Sequence, residues 1–161
     1  MGKRLILIRH AKADWDSTSG LDIDRPLHRR GHTEAQAMAA HLAANLDAPD
    51  AVWSSPSQRT LATANYFMSA WHLPANGIIP DARIYEARVQ DLLECINSMD
   101  AIYHTVALFG HNPGISDFAA YLSEDEVPPM DTCAVLVLDF SIDDWALVSR
   151  GTGKLAWSAS P

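Results

Sequence analysis

Short apolar runs alternate along this chain with segments in which apolar residues recur at helical spacing. Residues 3–8, 51–54 and 105–110 are rich in Leu, Ile, Val and Ala, which is typical of buried strands. Segments with helical spacing lie between and after these runs, around residues 33–46, 55–71, 89–96 and 112–122. The alternation predicts a mostly parallel central sheet with helices on both faces.

Three of the predicted helices carry signals at their starts. Thr33 and Gln36 fit a capping box near the start of the first helix. In the second helix, Ser55 can cap the chain and Pro56 suits the first helical position, because proline has no N–H to leave unpaired. Residues 112–113, Asn-Pro, repeat this order before the later helix.

The last forty residues follow a different pattern. Residues 123–131 are acidic and contain prolines, which predicts a loop. Residues 133–140 and 145–150 are apolar and predict two strands joined by a turn, a C-terminal hairpin on the sheet. We find no internal repeat, and expect residues 1–161 to form a single α/β domain.

Composition narrows the classes of partner. The chain has 12 Lys and Arg against 20 Asp and Glu, a net charge of −8, which argues against a nucleic-acid or anionic-membrane surface. No apolar run has transmembrane length and no signal-peptide core is found, so we expect a cytoplasmic location. Cys95 and Cys133 are expected to be buried free thiols of a reducing compartment rather than a disulfide.

Basic residues gather where the predicted strands end. Arg9 and His10 follow the first strand, and His111 follows the strand at 105–110. Arg59 lies near the start of the helix after the second strand, and its side chain leans back toward that strand end. Ligands of open α/β sheets bind beyond the carboxyl ends of the strands, and helix N-termini attract anions. The spacing is therefore typical of a phosphoryl-binding site.

Other chemistries find little support. The chain has no Gly-rich loop followed by Lys and Ser or Thr, and no GxSxG elbow. Neither cysteine is followed six residues later by Arg, as a cysteine phosphatase would require. A metal site built from His10, His111 and an aspartate is disfavoured, because two neighbouring arginines would repel the cation.

Four ordered motifs resemble the histidine phosphatase superfamily, and more narrowly its compact SixA-like phosphohistidine phosphatases. They are "LILIRHAKADWD", "DRPLHRRG", "SSPSQRTLATA" and "LFGHNPG", between positions 5 and 114. Ala11 stands where many members have Gly. The resemblance implies a phosphoglycerate-mutase-like fold and a phosphatase that needs neither a cofactor nor a metal.

The resemblance also implies roles for single residues. His10 would be the nucleophile and become transiently phosphorylated, while Arg9, Arg59 and His111 would bind the phosphoryl oxygens. Glu86, in "IYEAR", is either the general acid or a solvated loop residue.

Two further questions concern the first loop. Arg25 either contacts substrate or pairs with Asp22 or Asp24. Trp15 and Asp16 either line the pocket or pack the loop.

Three functions fit these observations. The first is removal of phosphoryl groups from protein histidine, and the second is hydrolysis of a small phosphomonoester or phosphoanhydride by the same residues. The third is a non-catalytic phosphate-binding module, against which the presence of His10 argues. Residues 11–27, 76–88 and 123–131 leave little chain to roof the pocket, and an open rim favours a phosphorylated protein as partner.

Overall fold

A six-stranded sheet forms the centre of the computed structural model, which describes residues 2–161. The strands are β1 (Lys3–Arg9), β2 (Ala51–Ser54), β3 (Ile78–Pro80), β4 (Thr105–Gly110), β5 (Val135–Phe140) and β6 (Gly153–Ala159). Their order in the sheet is β3-β2-β4-β1-β5-β6. The first four pair in parallel, and β5 and β6 pair antiparallel, which confirms the mostly parallel sheet and the C-terminal hairpin.

Helices cover both faces of the sheet, as the pattern predicts. They are α1 (Arg29–Asn45), α2 (Gln58–Ala70), α3 (Val89–Asn97) and α4 (Gly114–Leu122). Successive side chains of β1 point to opposite faces, so Ile6 and Ile8 pack with residues of α1 and α2, and Leu5 and Leu7 with residues of α3 and α4. Each of these four side chains is fully buried, a contribution of about 1.5–3 kcal/mol apiece to the hydrophobic stabilisation.

The start of α1 differs from the prediction. His28 caps the helix, and its Nδ1 accepts a hydrogen bond of 3.0 Å from the Arg30 N–H. Thr33 lies within the helix, and its hydroxyl donates to the Arg29 carbonyl. The predicted capping box of Thr33 and Gln36 is therefore wrong, because the His28 ring supplies the acceptor five residues before Thr33, where the box would begin.

The start of α2 also lies slightly later than predicted. Ser57 is the cap, and its hydroxyl accepts a hydrogen bond from the Thr60 N–H. The predicted cap, Ser55, is still held beside the sheet, because its N–H donates to the Phe109 carbonyl at 3.1 Å. Arg59 is nevertheless in the first turn, as expected.

A third correction concerns α4, which begins at Gly114 after Pro113 without any side-chain cap. Asn112 does not cap it. Its side chain donates to the Met130 carbonyl at 2.8 Å and accepts from the Ser116 hydroxyl at 2.7 Å. The Asn112 side chain thus bonds to the distant Met130 carbonyl instead of capping the helix that follows it.

The last strand is β6 rather than the predicted residues 145–150. Trp145–Leu147 is a short 3-10 helix in which the Asp144 carboxylate accepts from the Ala146 N–H at 3.0 Å. Trp145 is fully buried, so the apolar signal in this stretch reflects core packing. Strand β6 lies at the sheet edge and is largely polar on its exposed face, which weakens the apolar pattern.

Two further findings concern the whole described chain. Cys95 and Cys133 are buried free thiols, as expected. Within residues 2–161, no helix combines the length and the apolar character required to cross a membrane.

Close backbone packing fixes the segment that follows β1. A Cβ on Gly31 would lie 2.0 Å from the Lys12 carbonyl oxygen, so only glycine allows α1 to approach this closely. The His28 N–H donates to the same carbonyl at 2.8 Å. The start of α1 therefore supports the backbone two residues beyond His10.

Candidate active site

Four residues predicted from the strand ends meet at the carboxyl edge of the sheet. The His10 and His111 rings lie with their centroids 5.1 Å apart. The Arg59 Nη2 lies 3.4 Å from the His111 Nδ1. Arg9 is close enough for its charge to lower the pKa of both histidines. Because β1 ends at Arg9, His10 is outside the regular strand, and both residues can face the same region.

Backbone hydrogen bonds fix the position of His10. Its N–H donates to the Gly110 carbonyl and its carbonyl accepts from the Cys133 N–H, both at 3.1 Å. The ring Nδ1 lies 2.7 Å from the Ala11 carbonyl oxygen. A carbonyl can only accept, so Nδ1 carries the proton, and the Nε2 of the neutral ring keeps its lone pair.

The environment of His10 favours this neutral ring. Burial is the largest cause, and the charges of Arg59 and Arg9 add to it, so that the pKa of His10 falls from 6.5 to about 4. The hydrogen bond to the Ala11 carbonyl opposes the shift without cancelling it. At neutral pH, His10 therefore presents an unprotonated Nε2.

His111 is neutral as well but is held in the other tautomer. A guanidinium can only donate, so the His111 Nδ1 accepts from Arg59. The proton is then on Nε2, which donates to the Ser55 hydroxyl at 2.7 Å. Burial, then His10 and Arg59, lower the pKa of His111 to about 3.

The Arg59 side chain is only 8% exposed and is paired with Asp22. Its Nη1 donates to the Asp22 carbonyl at 2.8 Å, and its Nη2 donates to Asp22 Oδ2 at 3.0 Å. The Asp22 carboxylate also accepts from the Tyr85 hydroxyl at 2.6 Å and from Arg25 Nη1 at 2.9 Å. These donors, Tyr85 first, hold the pKa of Asp22 well below its usual range. The same hydrogen bond raises the pKa of Tyr85 to about 12.

Arg9 is held by the end of the acidic loop and has no carboxylate contact among the residues described. Its Nη1 donates to the Met130 carbonyl at 3.1 Å, and its buried Nε has no hydrogen-bond partner within residues 2–161. The Met130 N–H donates to the Ser116 hydroxyl at 2.9 Å, which fixes that carbonyl. Burial lowers the pKa of Arg9.

Arg25 makes one of the two ion pairs that the sequence offered, while its predicted contact with substrate stays a prediction. It pairs with Asp22, and its Nε donates to the Asp14 carbonyl at 2.7 Å. Asp24 instead accepts from the Ser19 hydroxyl at 2.6 Å. The charge of Arg25 also lowers the pKa of His10, so this side chain lies near the site.

Glu86 and Trp15 are both exposed. Glu86 is exposed, has a φ of +53°, and its carboxylate has no hydrogen bond or ion pair with any residue in 2–161. Trp15 is 91% exposed, so it does not pack the loop, and Asp16 beside it is exposed as well.

Three residues at the site were not assigned a role there by the sequence. The sequence predicts Asp22 only as a possible partner of Arg25 and Ser55 only as a helix cap, and it gives no role to Tyr85. Tyr85 is next to Glu86 in the sequence, and Asp22 is three residues before Arg25. Nearness in the sequence to a predicted site residue is therefore the signal that could have identified these two.

Within residues 2–161, no group of three or more His, Cys, Asp or Glu side chains is arranged to hold a metal ion.

Comparisons with known proteins identify the family of this chain. Residues 5–92 match the profile of the histidine phosphatase superfamily (branch 1). An uncharacterized chloroplastic protein of Arabidopsis thaliana is 29% identical over 173 residues, covering 100% of this chain and 79% of that protein.

Solved structures show the same fold. A protein provisionally assigned as the phosphohistidine phosphatase SixA of Agrobacterium tumefaciens superposes with a TM-score of 0.83 at 25% identity, covering 99% of this chain and 98% of that one. The protein histidine phosphatase SixA complexed with tungstate gives 0.82 at 24% identity, covering 98% and 97%. A mycobacterial glucosyl-3-phosphoglycerate phosphatase gives 0.71 at 18% identity, covering 99% and 100%.

Proposed function

Because this chain belongs to branch 1 of the histidine phosphatase superfamily, we propose that it removes phosphoryl groups from histidine residues of proteins through a transient phosphoryl group on His10. One observation carries the proposal. The His10 ring is neutral, its Nδ1 proton is held by the Ala11 carbonyl, and its Nε2 is left with a lone pair beside two arginines. A nucleophilic imidazole requires these features.

The reaction proceeds in two displacements. The lone pair of His10 Nε2 attacks phosphorus, and the P–N bond to the substrate breaks with its electron pair going to the leaving nitrogen. The substrate imidazole leaves as a neutral ring when its other nitrogen carries a proton taken from solvent. Water then attacks the phosphoryl group on His10, which releases inorganic phosphate, and Nε2 regains its lone pair.

Negative charge on the transferred phosphoryl oxygens needs preorganised donors. The guanidinium groups of Arg9 and Arg59 are suited to this because their planar forks match phosphoryl oxygens and remain charged. His111 lies beside Arg59 and contributes a further polar group. Arg25, now paired with Asp22, is the additional candidate for substrate contact.

The groups around the site favour a leaving group that needs little help from an acid. An alkoxide leaving group benefits strongly from a general acid. The low pKa of Asp22 keeps this carboxylate ionised, and the hydroxyl of Tyr85 has a pKa of about 12. Glu86, the predicted acid, is exposed and has no contact that orients its carboxylate toward the site. An imidazole leaving group fits this setting better than an alkoxide.

The rim of the site supports a protein substrate. Each of the three loops expected around the pocket supplies one contact there, from Asp22, Tyr85 and Met130. A surface cleft of about 710 Å³ lies between residues 87–90 and the start of α4. Its lining residues Ala87 and Pro113 are each two positions along the chain from Tyr85 and His111, although neither of those two residues lines the cleft. This cleft offers room for the polypeptide around a phosphohistidine. Cytoplasmic location stays a prediction.

Turnover of a phosphohistidine peptide tests the proposal. With EDTA present throughout, we expect wild type to release inorganic phosphate and His10→Ala to be inactive. His104→Ala, which alters an exposed histidine just before β4, is the matched control and should retain activity.

Three results would reject the proposal. Full turnover by His10→Ala would exclude His10 as the nucleophile. A wild-type protein that hydrolyses small phosphomonoesters or phosphoanhydrides, but not the phosphohistidine peptide, would favour the metabolite substrate. Inactivity of the wild type on every substrate would favour a binding module.

A further inference from the structure

Asp22 stands out because its carboxylate contacts the charged groups that a substrate would need. It accepts hydrogen bonds from Arg59 at 3.0 Å and from Arg25 at 2.9 Å, together with the Tyr85 hydroxyl at 2.6 Å. Two oxygens of one carboxylate thus bring together three donors from three separate segments of the chain. These three donors form an anion-binding site, and the Asp22 carboxylate occupies it.

The loop that carries Asp22 is anchored at its base and loosely attached at its tip. At the base, the Asp14 N–H donates to the Pro26 carbonyl at 2.9 Å, and residues 13 and 27 form an antiparallel bridge. The tip, residues 16–24, contains no buried residue. Within the described chain, every hydrogen bond that joins this tip to residues beyond the loop runs through Asp22. When Asp22 leaves its partners, the tip can therefore move without disturbing the core.

A phosphoryl group that replaces the Asp22 carboxylate at Arg59 and Arg25 gains electrostatic energy. Arg59 and Arg25 carry two positive charges and face one carboxylate. A terminal phosphoryl group brings more negative charge and three acceptor oxygens, so it satisfies the same donors more completely. The buried guanidinium of Arg59 is never left without a counter-charge, because one anion replaces the other.

We propose that Asp22 is an internal competitor for the substrate's phosphoryl group, which must displace its carboxylate from Arg59 and Arg25 before it can bind them. This inference rests on the proposed function, since it assumes that these arginines form the phosphoryl site. It assigns Asp22 a regulatory role at the site: the loop is closed onto the arginines without ligand and is released by an incoming phosphoryl group.

Binding of inorganic phosphate to the full chain, measured by isothermal titration calorimetry at low ionic strength, tests the competitor. Asp22→Asn keeps the shape and an acceptor oxygen but removes the charge. Because it weakens two partly exposed ion pairs that binding must break, we expect phosphate to bind about fivefold to tenfold more tightly. Asp22→Ala should shift the affinity in the same direction.

Asp24→Asn is the matched control. It removes the same charge from the same 3-10 turn, but Asp24 contacts Ser19 rather than an arginine. Its phosphate affinity should stay within about twofold of wild type, because the Asp24 carboxylate contacts neither arginine and acts on them through high-dielectric solvent. Thermal melting confirms that each variant is folded.

The outcomes separate the two proposals. Tighter binding by both Asp22 variants, but not by Asp24→Asn, supports the competitor. Unchanged or weaker binding by Asp22→Asn overturns it and assigns Asp22 to positioning Arg59 for the substrate. If neither folded wild type nor folded variants bind phosphate, the anion site itself is refuted, and the proposed function fails together with the competitor.

Discussion

The two ends of strand β1 hold arginines in opposite settings. Arg4, at the amino end, lies opposite Asp139 in the β1–β5 ladder and donates to both of its carboxylate oxygens, at 2.7 and 2.9 Å. Arg9, at the carboxyl end, donates only to the Met130 carbonyl, and its buried Nε has no partner within residues 2–161. One strand therefore carries a satisfied ion pair and an unsatisfied cation.

The protonation behaviour of the two arginines follows from these settings. The hydrogen bond with Asp139 raises the pKa of Arg4, whereas burial lowers the pKa of Arg9. A structural arginine is compensated by a neighbour on a rigid strand. An arginine that binds a ligand has no counter-charge of its own until the ligand arrives. Arg59 is intermediate, because its counter-charge, Asp22, comes from a loosely attached loop.

The largest effect is expected from substituting Arg59, an arginine of the candidate site, and comparing it with Arg4, the structural arginine. Arg59→Ala should lower turnover of a phosphohistidine peptide roughly 10²–10³-fold, because it removes a preorganised donor that stabilises developing charge. Arg4→Ala, which also removes an arginine paired with an aspartate, should change turnover by less than about twofold and cost at most about 1 kcal/mol of unfolding free energy.

Steady-state kinetics and urea denaturation of both variants check this prediction. If Arg4→Ala reduces turnover as much as Arg59→Ala does, the loss reflects general destabilisation, and the distinction between a structural arginine and an arginine of the site disappears. A reduction of less than about threefold in Arg59→Ala would remove Arg59 from the site, since the loss of a catalytic donor costs far more.

A smaller expected effect concerns the protonation of the two histidines at the carboxyl ends of β1 and β4. A histidine with the ordinary pKa of 6.5 is about 90% protonated at pH 5.5. Since burial and the arginines lower the pKa values of His10 and His111 to about 4 and about 3, both rings should remain largely neutral at that pH. The proton of His10 should be on Nδ1 and that of His111 on Nε2.

Nitrogen-15 chemical shifts of the imidazole rings measure both properties, and His10→Ala supplies the assignment. A His10 ring that titrates near pH 6.5 would show that the carboxyl end of β1 is no more desolvated or positive than ordinary surface. A proton on its Nε2 at neutral pH would contradict the nucleophile assignment directly.

The features that the sequence predicted well are those set by local order along the chain. Apolar runs followed by His10 and His111 identified the strand ends, and parallel strands bring such ends to one edge of a sheet. Arg59 was placed correctly in the first turn even though the cap is Ser57 rather than Ser55. A shift of two residues in a helix start does not change which end of the helix a side chain occupies.

The missed features depend on contacts between distant segments. Asp22 reaches Arg59 across 37 positions and Tyr85 across 63, and no local periodicity records such pairs. Residues 145–150 failed as a strand because the apolar signal of Trp145 reflects burial rather than pairing. Strand β6 escapes prediction for the opposite reason, since the exposed residues Lys154 and Ser158 interrupt its apolar positions and leave only a short apolar run.

Trapping of the phosphorylated enzyme tests the central claim most directly. Wild type is mixed with a phosphohistidine peptide and quenched with alkali at a series of times within the first turnover, because a phosphoryl group on histidine survives in base. Peptide mass spectrometry then locates the phosphoryl group. We predict transient phosphorylation of the fragment that contains His10. Consumption of the substrate with no phosphoryl group on the protein at any quench time, or with one on another residue, would contradict the account.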